Sequence, residues 1–509
     1  IITATSSRGS VSSGAASSSS TLSLTFTSSE STLNFVKADV SITNGSIGTL
    51  SGSGKTYTAI LTPTAQGLVS VSVATGAYTD TANNNNEEAS FSWTYLSDPT
   101  AKADVVGNTK AWTNTSSKWA GDITNVVSHR LDWLSRHKGS LQTSHQGVKI
   151  RFNNELINTV MNTTPKSKKA IVAEIDKHLD PISKVISLLQ DTENAFVAGG
   201  EAIKSDAQMI AINEAARLRE GWLGNLNPTF GKVINDWSMW TAGEISIGKE
   251  DATASSSKQE SDSQTISLGF DKPVRGSDLL GFALSIGQSS TDVGESSSQV
   301  KSDNYALSTY STFNQPNGIT YETTLNLGHL KFDTTRIDGS DTLVGTRDAN
   351  QVFGAVLVRD INNTFKRDNW SISPYGKASV AYTMLDSFSE TGASTALSFD
   401  KQTLNEAKIY VGSDMNYLIT INNGTIKPFA KFEYALDVSE SSDAAMHYTS
   451  EITNYALNLD KKATSNWNLE LGADLFTKDG WSSFVTYRRE EHINAGHSDS
   501  LTVKVGLKF

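Results

Sequence analysis

Three groups of polar residues in this chain have types and spacings that could bind a ligand. The first is "LSGSGKT" at residues 50–56, which is similar to a phosphate-binding loop, where backbone N–H groups and a lysine hold phosphates. That motif needs a glycine at position 49, where the chain has Thr49, and it needs a helix after the lysine. The following "TYTAILTP" alternates like a strand, so the segment predicts a hairpin turn and no nucleotide site.

The second group consists of His129, His137 and His145, whose imidazoles are of the type that binds zinc. A spacing of eight residues does not place them on one face of a helix, and Gly139 separates the third from the others. The pattern therefore favours solvated histidines over a metal site.

The third group lies in "TDTANNNNEE", whose side chains could offer oxygen ligands to Ca²⁺. Its candidate ligands are Asp80, Asn83, Glu87 and Glu88. A solvated polar turn is the favoured interpretation, and calcium binding stays open. The sequence also contains no nucleophile elbow, no H-E-x-x-H and no isolated carboxylate pair. We therefore expect neither catalysis nor a cofactor nor a bound metal.

Composition narrows the possible partners. The chain has 509 residues, a net charge of -11 and no cysteine. The acidic balance argues against nucleic acid as a partner, and the lack of cysteine excludes disulfides and thiolate zinc sites. No apolar run approaches the 18 to 20 residues of a transmembrane helix, so any contact with a membrane must be made by strands. The chain begins with IITATSS and no signal peptide, so we expect an export signal upstream.

Strict alternation of apolar and polar residues marks the C-terminal half. It is clearest at the end of the chain, where one face of a strand carries Leu501, Val503, Val505, Leu507 and Phe509. The opposite faces of such strands carry charges, which a barrel would turn toward its lumen: Lys431, Glu433, Asp437, Glu470, Asp474 and Lys504. Alternation alone fits a soluble sandwich as well.

Connection lengths favour the barrel. Residues 237–509 contain twelve candidate strands, joined in turn by long polar connections, such as 333–347, 387–402 and 439–463, and by short turns such as "NQPNG" and "NNGT". Long loops on one rim and tight turns on the other are typical of outer-membrane barrels. Aromatic residues near strand ends predict the membrane interfaces: Trp237, Trp240, Phe313, Trp370, Trp467 and Trp481.

Residues 201–223 combine high helix propensity with mixed polar and apolar faces. We predict one helix about 30 Å long, which crosses the lumen as part of a pore-threading linker over residues 201–236. A surface helix packed on a neighbouring domain is the alternative. With this helix, "WSMWTAGEISIG" and the final "LTVKVGLKF", the region 201–509 resembles the translocator domain of bacterial type V autotransporters.

The resemblance implies insertion into the outer membrane of a Gram-negative bacterium by the barrel assembly machinery, which would read Leu501, Val503, Val505, Leu507 and Phe509. It also implies that the N-terminal part is displayed outside the cell as a passenger. Some autotransporters release the passenger by cleavage at a lumenal Asn. Residues 201–223 contain Asn213 but no Asn-Asn pair, which argues against release by that route.

The N-terminal part divides into three predicted segments. Residues 1–20 are rich in serine and predict a linker. Short alternating strands at a spacing of about ten residues predict a β-sandwich over 21–98, and its sequence resembles bacterial Ig-like repeats. Residues 99–200 predict a mostly helical passenger or stalk, including a helix with a stripe of Ile123, Val127, Leu131 and Leu134.

The predicted fold is therefore mainly β: a twelve-stranded antiparallel outer-membrane β-barrel with a lumenal helix, preceded by a helical region and an Ig-like sandwich. We expect a monomer that contacts outer-membrane lipids and binds an unidentified surface ligand, for adhesion or display. The alternatives are a catalytic passenger upstream of residue 1, a soluble surface protein, and a pore for small solutes.

Overall fold

Two β-sheets pack face to face at the N-terminus. The computed structural model describes residues 1–136, 238–275, 278–459, 465–477, 481–492 and 496–507. The N-terminal strands are β1 (Ile2–Ser6), β2 (Gly9–Val11), β3 (Ala16–Ser17), β4 (Leu22–Thr32), β5 (Val40–Thr43), β6 (Gly45–Ile47), β7 (Ser51–Pro63), β8 (Gly67–Val73) and β9 (Ala89–Tyr95). One sheet has the order β2-β1-β4-β7-β6 and the other β3-β9-β8-β5. Their facing apolar side chains form one buried core around Trp93 and Leu22.

This sandwich includes the first residues of the chain, so the predicted linker over 1–20 is wrong. Ile2 pairs with Phe26 in an antiparallel ladder, and Ile2 and Ala4 are buried in the core. Serine and threonine fill the alternate, outward positions of β1, so the composition resembles a linker while the period-two pattern is that of a strand. β1 lies between β2 and β4, and the edge strand β3 pairs with β9, where Ala16 is opposite Thr94; composition does not reveal these pairings.

A single helix of 34 residues, α1 (Ala103–Arg136), follows the sandwich. At 1.5 Å per residue it is about 50 Å long, which is enough to cross a membrane. Its stripe of Ile123, Val127, Leu131 and Leu134 is buried, as the sequence predicted for a packed helix. The predicted passenger or stalk over 99–200 differs from the structure at residues 103–136, because α1 lies inside a barrel; residues 137–200 lie outside the described residues.

The barrel consists of twelve antiparallel strands. They are β10 (Ser238–Glu250), β11 (Gln259–Arg275), β12 (Asp278–Val293), β13 (Ser298–Asn314), β14 (Ile319–Asp338), β15 (Asp341–Asp360), β17 (Trp370–Leu385), β20 (Gln402–Tyr417), β22 (Gly424–Asp437), β25 (Ser465–Thr477), β26 (Trp481–His492) and β27 (Gly496–Leu507). The sheet closes because β10 pairs with β27, with Gly243 opposite Val503, and β15 pairs with β17. The prediction of twelve strands is confirmed, and a soluble sandwich over this region is excluded.

The two ends of the barrel differ, and we name them by their connections. The turn rim carries the short links, such as residues 315–318; β16 (Phe365–Arg367) and β21 (Ile419–Ile421) also lie there. The loop rim carries the links after β10, β12, β14, β17, β22 and β26. The predicted long loop at 333–347 is wrong, because β14 and β15 continue to a tight turn in which Gly339 takes a φ of 65°.

A second small sheet covers part of the loop rim. It comprises β18 (Phe388–Ser389), β19 (Leu397–Phe399), β23 (Ser442–Tyr448) and β24 (Tyr455–Leu459), and we call it the cap sheet. Its strands come from the two connections that the sequence predicted as the loops 387–402 and 439–463. These connections therefore have a fold of their own, packed on the first turns of α1.

The predicted lumenal helix is confirmed as a feature of the fold but is formed by a different segment. The helix predicted at 201–223, and the linker 201–236 around it, lie outside the described residues. Within the described ranges, no helix has the length and apolar character needed to span a bilayer.

Candidate functional site: the occupied barrel lumen

The last turns of α1 are tied to the barrel wall by a chain of buried polar contacts near the turn rim. Arg130 donates from Nε and Nη2 to Asp271 on β11, at 2.7 and 2.8 Å. Asp271 also accepts from the hydroxyl of Tyr310, and the indole N–H of Trp240 donates to that same hydroxyl. Because all four side chains are buried, each hydrogen bond forms away from competing water.

Asp132 is the second anchor of α1. Its carboxylate accepts from Arg359 on β15 at 2.9 Å and from Lys431 on β22 at 3.0 Å. One turn away, His129 Nε2 lies 3.0 Å from Glu470 on β25. The prediction that His129 is solvated is therefore wrong: its side chain is buried because α1 is enclosed by the barrel. His137 and His145 lie outside the described residues.

Sequence reasoning missed Asp132 and its partners, although a signal was present. Within "VVSHRLDWL", the ionisable residues His129, Arg130 and Asp132 interrupt an apolar run. They are spread around the helix, whereas a helix with one side in water would gather them on a single polar face. Such residues are expected where a helix faces charged walls. Their partners lie more than 100 positions away, so the sequence alone did not reveal the pairs.

The predicted lumen-facing residues are distributed along this interior. Lys431 and Glu470 contact α1, as described above. Glu433 is buried and accepts from Lys377, Tyr375 and Asn468. Asp474 is buried, and the ammonium group of Lys504 lies 5.2 Å from the centre of the Trp133 ring. Asp437 is half-buried near the loop rim, where it accepts a hydrogen bond from the hydroxyl of Ser439.

In the loop-rim half, aromatic contacts are added to ion pairs such as that between Arg336 of β14 and Asp104 of α1, at 3.4 Å. Trp112 of α1 donates to Thr334 at 3.0 Å and meets Phe388 and Phe399 of the cap sheet edge-on. The guanidinium of Arg347 stacks over Trp112 at 5.0 Å. Edge-to-face and cation–π contacts of this kind add about 0.5–1.5 kcal/mol each beyond the area they bury. The cap sheet thus holds the first turns of α1.

A cavity of about 400 Å³ remains beside α1. Side chains of both charges line it, including Lys118, Lys408, Glu406, Arg488 and Glu490. Most of these charges have partners of opposite sign, as in Lys118–Asp122 at 2.8 Å and Arg488–Glu490 at 2.9 Å. The part of the lumen that α1 leaves open is therefore polar and lined by ion pairs, so it is suited to hold water.

The outer wall has the opposite character. Large apolar side chains point away from the lumen on many strands: Ile245, Ile247, Leu325, Val356, Val380, Ile409, Val411, Phe432, Leu436, Leu471, Val485, Leu501 and Val503 are all exposed. Exposed apolar area on this scale is unusual for a barrel in water and marks a surface that contacts another phase or partner.

The predicted interface aromatics have different positions. Phe313 and Trp370 are exposed at the turn rim, and Trp467 is half-buried near the other end of β25. Trp240 contradicts the prediction, because it is fully buried and faces α1. It shares the inward face of β10 with Ala242 and Glu244, and this period-two relation explains its burial. Trp237 lies outside the described residues, and Trp481 begins β26.

The last strand, β27, closes the barrel against β10 and β26. Leu501 and Val503 are exposed on the outer wall, whereas Thr502 between them is buried and donates to Glu244. Val505 and Leu507 belong to the same strand, and Phe509 lies outside the described residues.

The N-terminal sandwich docks onto the loop rim. Glu451, beside the cap sheet, accepts from the backbone N–H of Ser18 at 2.7 Å and lies 3.5 Å from Arg8. Tyr448 of the cap sheet donates to the carbonyl of Ser97 at 2.7 Å, and burial raises the pKa of its phenol well above the usual value. Leu96 joins the same buried core as Trp112. The sandwich, α1 and the cap sheet are thus packed together.

This docking predicts an effect of Glu451→Ala. The change removes an acceptor for Ser18 and the charge beside Arg8, so the sandwich should move more freely on the rim. We expect limited proteolysis near residues 97–102 to become at least about threefold faster. Glu295→Ala is the matched control, because the Glu295 side chain is 87% exposed and its ion pair with Lys258, at 3.4 Å, lies at the surface. Equal cleavage rates in the two variants would contradict the docking.

The polar turn that contains the candidate calcium ligand Asp80 is held by hydrogen bonds within the turn. Asp80 accepts from the backbone N–H groups of Ala82 and Asn84 and from the Asn84 side chain. These bonds, led by the Asn84 side chain, lower the pKa of Asp80. Among the residues that the structure describes, no group of three His, Cys, Asp or Glu side chains is arranged to hold a metal.

Comparison with protein families assigns this architecture. Residues 239–488 match the family model of the autotransporter β-domain, and residues 4–96 match that of a bacterial Ig-like domain. The barrel of this chain is an autotransporter β-domain. The autotransporter barrel and the Ig-like domain are both non-catalytic, and autotransporter barrels are outer-membrane proteins.

Solved structures of autotransporter barrels are similar to this one in fold. The translocator domain of autotransporter NalP from Neisseria meningitidis is 15% identical, with a TM-score of 0.43 over 60% of this chain and 100% of that one. The β-domain of the Bordetella autotransporter Brka is 10% identical, with a TM-score of 0.39 over 53% and 99%. The transport unit of AIDA-I from Escherichia coli is 10% identical, with a TM-score of 0.36 over 58% and 97%. A search of curated proteins found no match.

Proposed function

We propose that the barrel anchors this chain in the outer membrane of a Gram-negative bacterium and carries the Ig-like domain to the cell surface for adhesion or display. The observation that supports this most directly is the course of α1. The helix begins beside the Ig-like domain at the loop rim, passes through the lumen and ends at the turn rim. A chain that has passed through its own barrel would be left in this arrangement.

The outer wall fits contact with lipid. Its exposed apolar side chains form the face that outer-membrane barrels turn toward hydrocarbon, and Phe313 and Trp370 lie near one edge of it, where interfacial aromatics belong. Short turns of such barrels face the periplasm and long loops face outward. The Ig-like domain, docked on the loop rim, would then lie outside the cell.

Binding rather than catalysis is the proposed output. A net charge of -11 disfavours nucleic acid, and the partner is an unidentified surface ligand, bound by a monomer. No described feature favours the alternative of a catalytic passenger, whose residues would precede Ile1.

Surface display is tested by protease treatment of intact cells. The chain is expressed behind a signal peptide, with an epitope tag before Ile1. We expect protease to remove the tag while a heat-modifiable barrel fragment survives in the outer membrane. A product that protease reaches only after lysis, with no heat-modifiable fragment, would overturn the proposal.

The last strand is the proposed recognition signal for the barrel assembly machinery. Leu501, Val503, Val505, Leu507 and Phe509 share one face of the alternation, and an apolar, aromatic terminus would identify the strand to that machinery. Phe509→Ser should lower the outer-membrane yield about tenfold without unfolding the Ig-like domain. Lys508→Ser, on the other face of the alternation, is the control. Undiminished yield of the Phe509 variant would refute this role.

A further inference from the structure

The cap sheet is built from very short strands. β18 and β19 come from one connection of the barrel and β23 and β24 from another. β18 pairs with β19 through two residues, and the two connections meet where β19 pairs with β23 through three. Strands of this size bury little apolar surface by themselves, so a sheet made of them needs a hydrophobic face that packs against another element.

The element that covers this face is α1. One buried cluster joins the helix to the cap sheet, and it includes Ala111 and Trp112 of α1 with Leu397, Ala444 and Met446 of the cap. The two stacked phenylalanine rings of the cap both meet the ring of Trp112 edge-on. Without α1 the apolar face of the cap would be open to the lumen, which is unfavourable in proportion to the area exposed to water.

Arg336 of β14 joins the cap connection to the first turn of α1. Its guanidinium donates to both carboxylate oxygens of Glu390, at 2.9 and 2.6 Å, and to the carbonyl of Thr395 at 3.0 Å. Its third nitrogen, Nη1, lies 3.4 Å from the carboxylate of Asp104. The side chains of Arg336 and Glu390 are each only 1% exposed, so moving Asp104 away would take a balancing charge from a buried cation.

Arg347 of β15 makes a second link of this kind. Its Nε donates to the carbonyl of Asp386 at 2.7 Å and its Nη2 to that of Asp400 at 3.0 Å, so it holds both ends of the connection that carries β18 and β19. The same guanidinium lies 5.0 Å from the ring centre of Trp112 and 5.6 Å from that of Phe388. A shift of α1 along its axis would therefore disturb the cap.

We propose that the cap sheet is a latch, which folds over the loop rim only when α1 lies in its place in the lumen and then holds α1 there. The latch rests on the proposed function, in which the Ig-like domain passes to the surface before α1 comes to rest. While earlier segments occupy the lumen, the cap connections lack the contacts with Trp112 and leave the loop rim open. Coupling is reciprocal, so the free energy that α1 adds to closing the cap also holds α1.

The chain has no cysteine, so a single introduced thiol can report whether the cap is closed. Ala444→Cys places the thiol on the buried face of β23, and Ala445→Cys places it on the opposite, half-buried face of the same strand. Each is combined with Trp112→Ala in the full chain. Trp133→Ala is the matched control, because Trp133 is also buried on α1 but belongs to a separate cluster. The rate of reaction with a maleimide is measured on folded protein in detergent.

We expect Trp112→Ala to raise the rate at Ala444→Cys at least about tenfold, because a thiol buried in the cap reacts only when the cap opens. The rate at Ala445→Cys should change much less, and Trp133→Ala should leave both rates as they are. An unchanged rate at Ala444→Cys in the Trp112→Ala variant would overturn the latch. An equal acceleration by Trp133→Ala would overturn it too, because the cap would then respond to any loosening of α1.

Heat-modifiability shows for each variant that the barrel is folded. If Trp112→Ala gives no folded barrel, Trp112→Leu keeps an apolar side chain without the ring contacts, and it should accelerate the reaction at Ala444→Cys at least about threefold. An unchanged rate there would overturn the latch as well. Display is measured separately, by labelling Ser53→Cys, an exposed position of the Ig-like domain, on intact cells. Protection of Ser53→Cys would contradict the display, whereas failure of the latch alone leaves it labelled.

Discussion

Replacing Asp132 by alanine is expected to destabilise the assembled barrel by about 3–5 kcal/mol. The carboxylate of Asp132 is the shared partner of Arg359 and Lys431, and all three groups are buried. Its removal leaves two cations facing each other in the lumen with less compensating charge. The cost comes from leaving these two buried cations with less opposite charge, because removing one partner of a buried ion pair destabilises far more than the intact pair stabilises.

The measurement is the temperature at which the folded, faster-migrating form is lost on heating in detergent. For Asp132→Ala we expect a fall of about 10 °C relative to the parent. Asp251→Ala, an exposed carboxylate in the connection between β10 and β11, is the matched control and should change little. A fall of less than about 2 °C for Asp132→Ala would mean that the ion pairs do not hold α1 in the lumen.

The second large effect is expected at Gly281. A Cβ atom built on Gly281 would overlap the ring of Tyr310, which lies flat against this glycine. The same relation occurs between Gly269 and Trp240, Gly412 and Tyr375, and Gly472 and Phe429. Gly281→Ala should push Tyr310 away from Asp271 and so loosen the contact with Arg130, at a cost of about 1–3 kcal/mol.

Gly376→Ala is the control for this prediction. A Cβ at Gly376 would have the backbone carbonyl oxygen of Tyr410 as its nearest neighbour, at 3.9 Å, which is an ordinary contact. We expect Gly281→Ala to lower the yield of heat-modifiable barrel severalfold and Gly376→Ala to leave it unchanged. The double variant Gly281→Ala with Tyr310→Phe separates overlap of the new Cβ with the ring from overlap with the hydroxyl. If the ring itself is the obstacle, removing the hydroxyl will not restore the yield.

Local periodicity predicted the barrel well because strand faces alternate within a few residues. The twelve strands needed no knowledge of distant contacts, although the long connection predicted at 333–347 is a tight turn in the structure. Trp240 shows how even this reasoning was incomplete. Its position at a strand end suggested an interface, yet the period that connects it to Glu244 placed it inward, beside α1.

The position of the lumenal helix could not be predicted in the same way. Helix propensity favoured residues 201–223, but a lumenal helix is selected by how its charges match the barrel wall. Arg130 matches Asp271 and Asp132 matches Arg359 across separations of 141 and 227 residues. The strand β1 was missed for a related reason, since serine-rich residues gain their order from the ladder to β4.

Each passage along the barrel also takes the chain from one rim to the other. The described chain makes one such passage with α1 and twelve with the strands, which is an odd number. α1 begins beside the Ig-like domain at the loop rim and β27 ends at the turn rim, so the Ig-like domain and Leu507 lie at opposite ends of the barrel. By the same parity, inserting or deleting a whole hairpin of the barrel preserves this arrangement, whereas the loss of one strand would reverse it.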